Sequence, residues 1–223
     1  LSSEKLRTGK LEKHEWEQLS IKVKDLEKAP LYIDDTPSLS IFDLRAKARR
    51  LASQYGIKMI VIDYLQLMRS RTKQAENSRE RDIAEISAGI KSLAKELQVP
   101  IVILAQLNRG PETRSGKSVG VPRMSDLRES GSIEQDADVV MFVYRDEYYL
   151  MQRAPKELSF DNSEKFQGAL DKWQKDMEEA HNKAELIIAK QRHGPTGTIK
   201  LFFEAEFTRF GDLDTQHDDG YGG

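Results

Sequence analysis

The chain has 223 residues, 38% of them hydrophobic and 32% charged, with no cysteine and a net charge of −2. That length supports one large domain with a core of its own, and the composition excludes a disordered chain, a disulfide framework and thiolate metal sites. No apolar run is long enough to cross a membrane, no targeting segment is visible, and any nucleic-acid contact must come from local basic patches rather than a global field.

Residues 11–28 read as a helix, with Trp16, Leu19, Val23 and Leu26 at helical spacing. Pro30 ends it, and Leu31-Tyr32-Ile33 reads as a short strand finishing at Asp34 and Asp35. Ser40 is the expected N-cap of a second helix, with Ile41, Leu44, Ala48, Leu51 and Tyr55 on one face and Gly56 closing it. Then comes Lys58-Met59-Ile60-Val61-Ile62-Asp63, the pattern of a buried parallel strand that delivers one carboxylate to the edge of a sheet. Residues 69–78 are polar and basic and read as a loop. Over 79–98 the isoleucines and leucines recur three or four apart, which predicts a helix.

Pro100 opens another buried strand, Ile101-Val102-Ile103-Leu104-Ala105, which ends at Gln106. A Gly/Pro/Arg-rich loop over 107–124 leads toward a third strand, Val139-Val140-Met141-Phe142-Val143-Tyr144. This order predicts an α/β fold with a mostly parallel sheet and helices on both faces. Residues 147–182 interrupt the pattern with mixed charges, Trp173 and Met177, and read as an inserted helical segment. A strand over 184–189, a turn at Gly194-Pro195-Thr196-Gly197 and a strand over 198–203 predict a C-terminal β-hairpin. The Asp- and Gly-rich residues 211–223 read as a disordered acidic tail, leaving 1–210 as the domain.

Four places carry chemistry. Asp63 stands where nucleotide-hydrolysing enzymes hold Mg²⁺, the Walker B position; as a pattern alone it is equally a strand cap. Gln106, at the tip of the next strand, can sense a γ-phosphate by hydrogen bonding without adding charge, or is an exposed polar residue opening a loop. Arg109, Arg114, Lys117, Arg123 and Arg128 make a basic loop suited to a phosphate backbone, or a solvated surface. Lys190 and Arg192, two residues apart beside a turn, suit cations reaching a neighbour's nucleotide, or an ordinary exposed hairpin tip. The four histidines lack metal-ligand spacing, and Trp16 and Trp173 read as helix-face packing residues. The phosphate-cradling G-x-x-x-x-G-K-[ST] occurs nowhere in the chain.

Several strings together resemble one family. They are Ile62-Asp63-Tyr64-Leu65-Gln66-Leu67, Ala105-Gln106-Leu107-Asn108-Arg109, Asp126-Leu127-Arg128-Glu129-Ser130-Gly131-Ser132-Ile133-Glu134-Gln135-Asp136-Ala137-Asp138, Tyr144-Arg145-Asp146-Glu147 and Lys190-Gln191-Arg192-His193-Gly194-Pro195-Thr196-Gly197. In that order they resemble the C-terminal motor domain of DnaB-type replicative DNA helicases. The resemblance implies a RecA-like P-loop NTPase core that binds ATP and Mg²⁺, assembles as a homo-hexamer and translocates on single-stranded DNA in the cytoplasm, with primase and a helicase loader as partners.

It implies that Asp63 is the Walker B acid, reaching Mg²⁺ through water, and that Gln106 is the γ-phosphate sensor. Lys190 and Arg192 become the finger residues, and Arg128, Glu129 and Gly131 grip the DNA backbone, with Arg109 and Arg123 nearby. Glu129, being acidic, would contact phosphate through its main chain. The family's P-loop, water-activating glutamate and primase-binding N-terminal domain are expected upstream of Leu1, so these residues alone should neither hold ATP well nor hydrolyse it. The residue pattern also allows a non-catalytic DNA- or ring-binding module. A different task for a RecA-like ATPase fits the basic loop and Arg128-Glu129-Ser130-Gly131 less well.

Overall fold

In the computed structural model, residues 1–69, 79–114, 119–127 and 131–213 are described. The chain divides into two units, one of Ser20–Gly110 with Arg123–Asp138, the other of Leu1–Leu19, Pro111–Pro122 and Val139–Gly223. Helices α1 (Ser3–Thr8) and α2 (Lys13–Glu27) begin the chain, and α2 runs from one unit into the other.

The first of these units is built on two helices and a strand pair. Helix α3 (Ile41–Tyr55) starts where Ser40 Oγ accepts the Asp43 N–H at 3.1 Å and stops at Gly56, whose φ of 62° suits a residue without a side chain. Helix α4 (Arg79–Leu97) turns Ile83, Ile86, Ile90 and Leu93 inward, as its period predicts. The two pack so closely that a Cβ on Gly89 would lie 2.5 Å from Ile41 Cγ1. Strands β1 (Ile60–Ile62) and β2 (Ile101–Ile103) pair in parallel, Ile60 opposite Ile101 and Ile62 opposite Ile103. Their isoleucines pack on a core in which Leu65, Ile83, Ile86 and Leu93 are almost fully buried. Each such side chain contributes about 1.5–3 kcal/mol.

The other unit holds an antiparallel sheet in the order β3-β4-β5-β6: β3 (Val139–Tyr144), β4 (Lys183–Gln191), β5 (Gly197–Glu204) and β6 (Arg209–Asp212). Val140, Phe142 and Tyr144 are buried while Val139, Met141 and Val143 are exposed, the two-residue alternation of a strand with one covered face. Between β3 and β4 the chain makes α7 (Asp146–Gln152) and α8 (Ser163–Ala180), and leaves and returns at neighbouring positions, since Tyr144 pairs with Glu185. Trp173 Nε1 donates to the Leu150 carbonyl at 2.8 Å, seating α8 on α7. The buried Glu147 carboxylate meets His181 Nδ1 at 2.9 Å and accepts from Arg145 at 3.2 Å, and the Arg145 guanidinium lies 3.9 Å from the Phe203 ring centre. The helical insertion and the hairpin are therefore as expected.

Several expectations need correction. Leu31-Tyr32-Ile33 forms no strand; those residues are exposed, and Asp34 is drawn instead to Lys47 of α3 at 2.5 Å. That ion pair and the hydrogen bonds of Thr36 hold the Asp34 carboxyl well below the usual range. Val139–Tyr144, expected within the parallel sheet, takes its strand partner antiparallel, and among the named strands parallel pairing is confined to β1 and β2. Gly211 and Asp212, assigned to the tail, pair with Phe202 and Leu201 in the sheet. Trp16, expected to pack, is half exposed, as are Val23 and Leu26. Residues 214–223 of the expected tail and 70–78 of the loop expected over 69–78 lie outside the described residues. No helix among the described residues is long and apolar enough to cross a membrane.

Candidate functional site

Asp63 leaves the end of β1 exposed, and the peptide joining it to Tyr64 is cis. The chain then enters a 3-10 turn over Leu65–Leu67, with Leu65 fully buried and its N–H donating to the Leu104 carbonyl at 2.9 Å. Leu104 N–H donates in turn to the Ile62 carbonyl at 2.9 Å, so the two strand ends stay side by side past the last formal pair. The Gln66 amide then engages the main chain of Gln106: its nitrogen donates to the Gln106 carbonyl at 3.2 Å, and its oxygen accepts the Gln106 N–H at 3.1 Å. Asp63 and Gln106 are thereby held at the carboxyl ends of adjacent parallel strands, the edge where open α/β sheets bind ligands. Tyr64, Leu104, Ala105 and Gln106 line an open hollow there.

After Gln106 the basic loop starts from a knot. Asn108 N–H donates to the Asp126 carbonyl at 3.0 Å, and Asn108 Oδ1 accepts the Gly110 N–H at 2.7 Å. The Asp126 carboxylate, buried, accepts the Arg123 N–H at 2.7 Å. A Cβ on Gly110 would lie 2.7 Å from Asn108 Oδ1 and 3.1 Å from Asp126 Oδ1, so the knot needs a glycine there. It brings the loop's two ends, bearing exposed Arg109 and Arg123, to one place. The stretch between includes α5 (Gly110–Thr113) and Gly120, whose N–H donates to the Pro111 carbonyl at 2.8 Å. Lys117, Arg128 and Glu129 lie outside the described residues. Gly131 begins α6 (Gly131–Asp136), with open space around its α-carbon. Ser87 of α4 lies 2.7 Å from the Asp136 carboxylate, which ties that helix to the core.

Lys190 and Arg192 belong to the other unit. Lys190 is in β4, but Arg192 is one residue past its end, in the turn, so the two do not share a strand. A β-bulge precedes them: Met141 pairs with Ile188 and Val140 with Lys190, leaving Ala189 as the extra residue. Bulges re-aim side chains near them, and this one falls immediately before Lys190.

The structure thus brings Asp63 and Gln106 together and draws Arg109 and Arg123 to one knot. Sequence reasoning singled out none of Gln66, Asn108 and Asp126 for a role. No periodicity marks them. The only local signal is Asn108 two residues before a glycine, a common side-chain-to-main-chain turn.

Comparison with known proteins is consistent with this geometry. The sequence model of the family described as DnaB-like helicase C terminal domain matches residues 1–212. A replicative DNA helicase DnaB from Geobacillus stearothermophilus is 44% identical over 219 residues, covering 98% of this chain and 42% of that protein. The Rickettsia bellii replicative DNA helicase DnaB is 41% identical over 217 residues, covering 97% of this chain and again 42% of the relative. The chain thus spans less than half the length of these relatives. Among solved structures, one described as an ATPase domain superposes with a TM-score of 0.73 at 31% identity, covering 96% of this chain and 66% of that one. A DnaB-like replicative helicase, solved in a study of its interactions with primase, gives 0.72 at 32% identity, covering 96% and 46%.

Proposed function

The chain belongs to the DnaB-like helicase C-terminal domain family, with the RecA-like fold expected, and on that premise we propose that it forms part of an ATP-dependent replicative DNA helicase motor. The observation that carries the reading is the placement of Asp63 and Gln106 on adjacent parallel strand ends. A carboxylate there suits Mg²⁺ held beside the β- and γ-phosphates of ATP, and an amide beside it suits a contact to the γ-phosphate.

The residues present fit such an ion. No group of three or more acidic, His or Cys side chains able to hold a metal occurs among the described residues. Mg²⁺ does not need one, because it keeps several waters and binds through one or two carboxylates plus substrate phosphates. Asp63 would supply one exposed carboxylate, reaching the ion through water. When bound, the ion neutralises charge developing on the phosphates; the protein's part is to place Asp63 and Gln106.

In this reading Lys190 and Arg192 reach the nucleotide of a neighbouring subunit, which requires a ring, here a homo-hexamer. Arg109, Arg123, Arg128, Glu129 and Gly131 hold the backbone of single-stranded DNA. Their chemistry supports it: cations and main-chain N–H groups bind phosphate without reading bases. Primase and a loader are the expected partners, and the cytoplasm the expected location. Asp63→Asn in the complete protein tests the core of the proposal. ATP hydrolysis dependent on Mg²⁺ should be lost; near-normal turnover would refute the role of Asp63.

A further inference from the structure

The strand pairing that places Gln106 is completed by a side chain. Strand β1 offers main-chain groups to β2 only as far as Ile62, with one further contact from Leu65 to Leu104. Beyond that point its backbone has turned away into the 3-10 turn, and β2 would run on unsupported. The Gln66 amide fills the vacated rung. A primary amide carries the same carbonyl acceptor and N–H donor as a peptide unit. Here it accepts the Gln106 N–H at 3.1 Å and donates to the Gln106 carbonyl at 3.2 Å. Both bonds go to the main chain of Gln106 and neither uses its side-chain amide.

Gln66 is itself held. Leu65 before it is fully buried and Met68 after it is 4% exposed. The 3-10 bonds Leu67 N–H to Tyr64 O and Met68 N–H to Leu65 O, each 3.0 Å, close the turn. Arg79, the first residue of α4, donates to the Gln66 carbonyl at 2.7 Å. The turn leaving Asp63, the start of α4 and the tip bearing Gln106 are therefore joined at one residue.

We propose that Gln66 is a positioning residue for Gln106, fixing the sensor's backbone relative to Asp63 so that the two reach the same nucleotide. The proposal rests on the reading of Gln106 as a γ-phosphate sensor, and it assigns Gln66 no contact with nucleotide. A displacement of about 1 Å at a reacting site can cost on the order of a hundredfold in rate.

The test uses the complete protein and three variants: Gln66→Met, which keeps the length and loses both hydrogen bonds, Gln106→Ala, and the double variant. ATP turnover is measured against ATP concentration, with hydrogen exchange at the Gln106 amide. In Q66M, kcat should fall by roughly ten- to a hundredfold with KM changed little, and the Gln106 amide should exchange faster. Because Gln66 acts through Gln106, Q66M should lower kcat no further once Gln106 is alanine. Wild-type kcat in Q66M, an equal loss in both backgrounds, or unchanged exchange at Gln106 would each overturn the proposal. Wild-type turnover in Q106A would instead overturn the sensor reading, a result that the exchange rate keeps separate from the hydrogen-bonded pin.

Discussion

Gly120→Ala should be among the most damaging small substitutions in this chain, and its cost can be divided into two parts. Gly120 has φ +76°, where an L-residue pays about 1–2 kcal/mol. A Cβ there would also lie 2.5 Å from both Cε2 and Cγ of Tyr149, about 1 Å inside ordinary contact distance. The ring has little room to retreat, because it stacks on Tyr144 at 5.8 Å and meets the Tyr148 ring edge-on at 5.2 Å. Overpacking of this kind costs about 1–3 kcal/mol, giving roughly 2–5 kcal/mol in all. Tyr149→Ala removes the clash but not the backbone strain, so in that background G120A should cost only about 1–2 kcal/mol. Urea unfolding followed by tryptophan fluorescence suits the measurement, since Trp16 and Trp173, the chain's two tryptophans, lie in the same unit as Gly120. Equal costs of G120A in the two backgrounds would refute the steric reasoning and leave the backbone angle as the whole effect.

Three further outcomes are expected. In the complete protein, Arg192→Ala should abolish ATP hydrolysis while leaving nucleotide affinity near wild type, read by equilibrium binding; lost binding would remove its role as a finger. Arg128→Ala should weaken single-strand affinity and flatten the plot of log K against log salt by about 0.7, the slope of one phosphate contact; an unchanged slope would place the gripping loop elsewhere. Burial and the hydrogen bond with Asp146 hold the Tyr144 phenol above its ordinary pKa of 10.0. The unfolded chain therefore releases that proton first, and the stability it brings is complete below pH 10 and falls as pH rises beyond it. The stability advantage of wild type over Tyr144→Phe should accordingly shrink between pH 9 and 11 in urea titrations, and a constant gap would contradict the assignment.

What was legible in the sequence was local. Helix α3 could be bounded to the residue because Ser40 and Gly56 announce both ends by their own chemistry. Helix α4 was legible because burial on one face writes a period into its residues, and strand β3 because its six residues form an unbroken apolar run. Asp63 and Gln106 could be picked out because each closes such a run. What escaped depends on partners far along the chain. Leu31-Tyr32-Ile33 has the residues of a strand but pairs with no strand among the described residues, and propensity without a ladder makes no strand. The Ala189 bulge exists only in the register between β3 and β4. Gln66 reads as one more polar residue until Gln106, forty positions away, is seen opposite it.

The helical excursion has a consequence for how such a protein can change over generations. Its two ends are cross-strand neighbours, Tyr144 and Glu185, so in topology it is a hairpin loop that has grown. Closing a flexible loop twice as long costs only about 0.6 kcal/mol more, and here the added sequence recovers part of that by packing α8 on α7. A change in the length of its outer part, between α7 and α8, should therefore leave the register of β3 on β4 as it is.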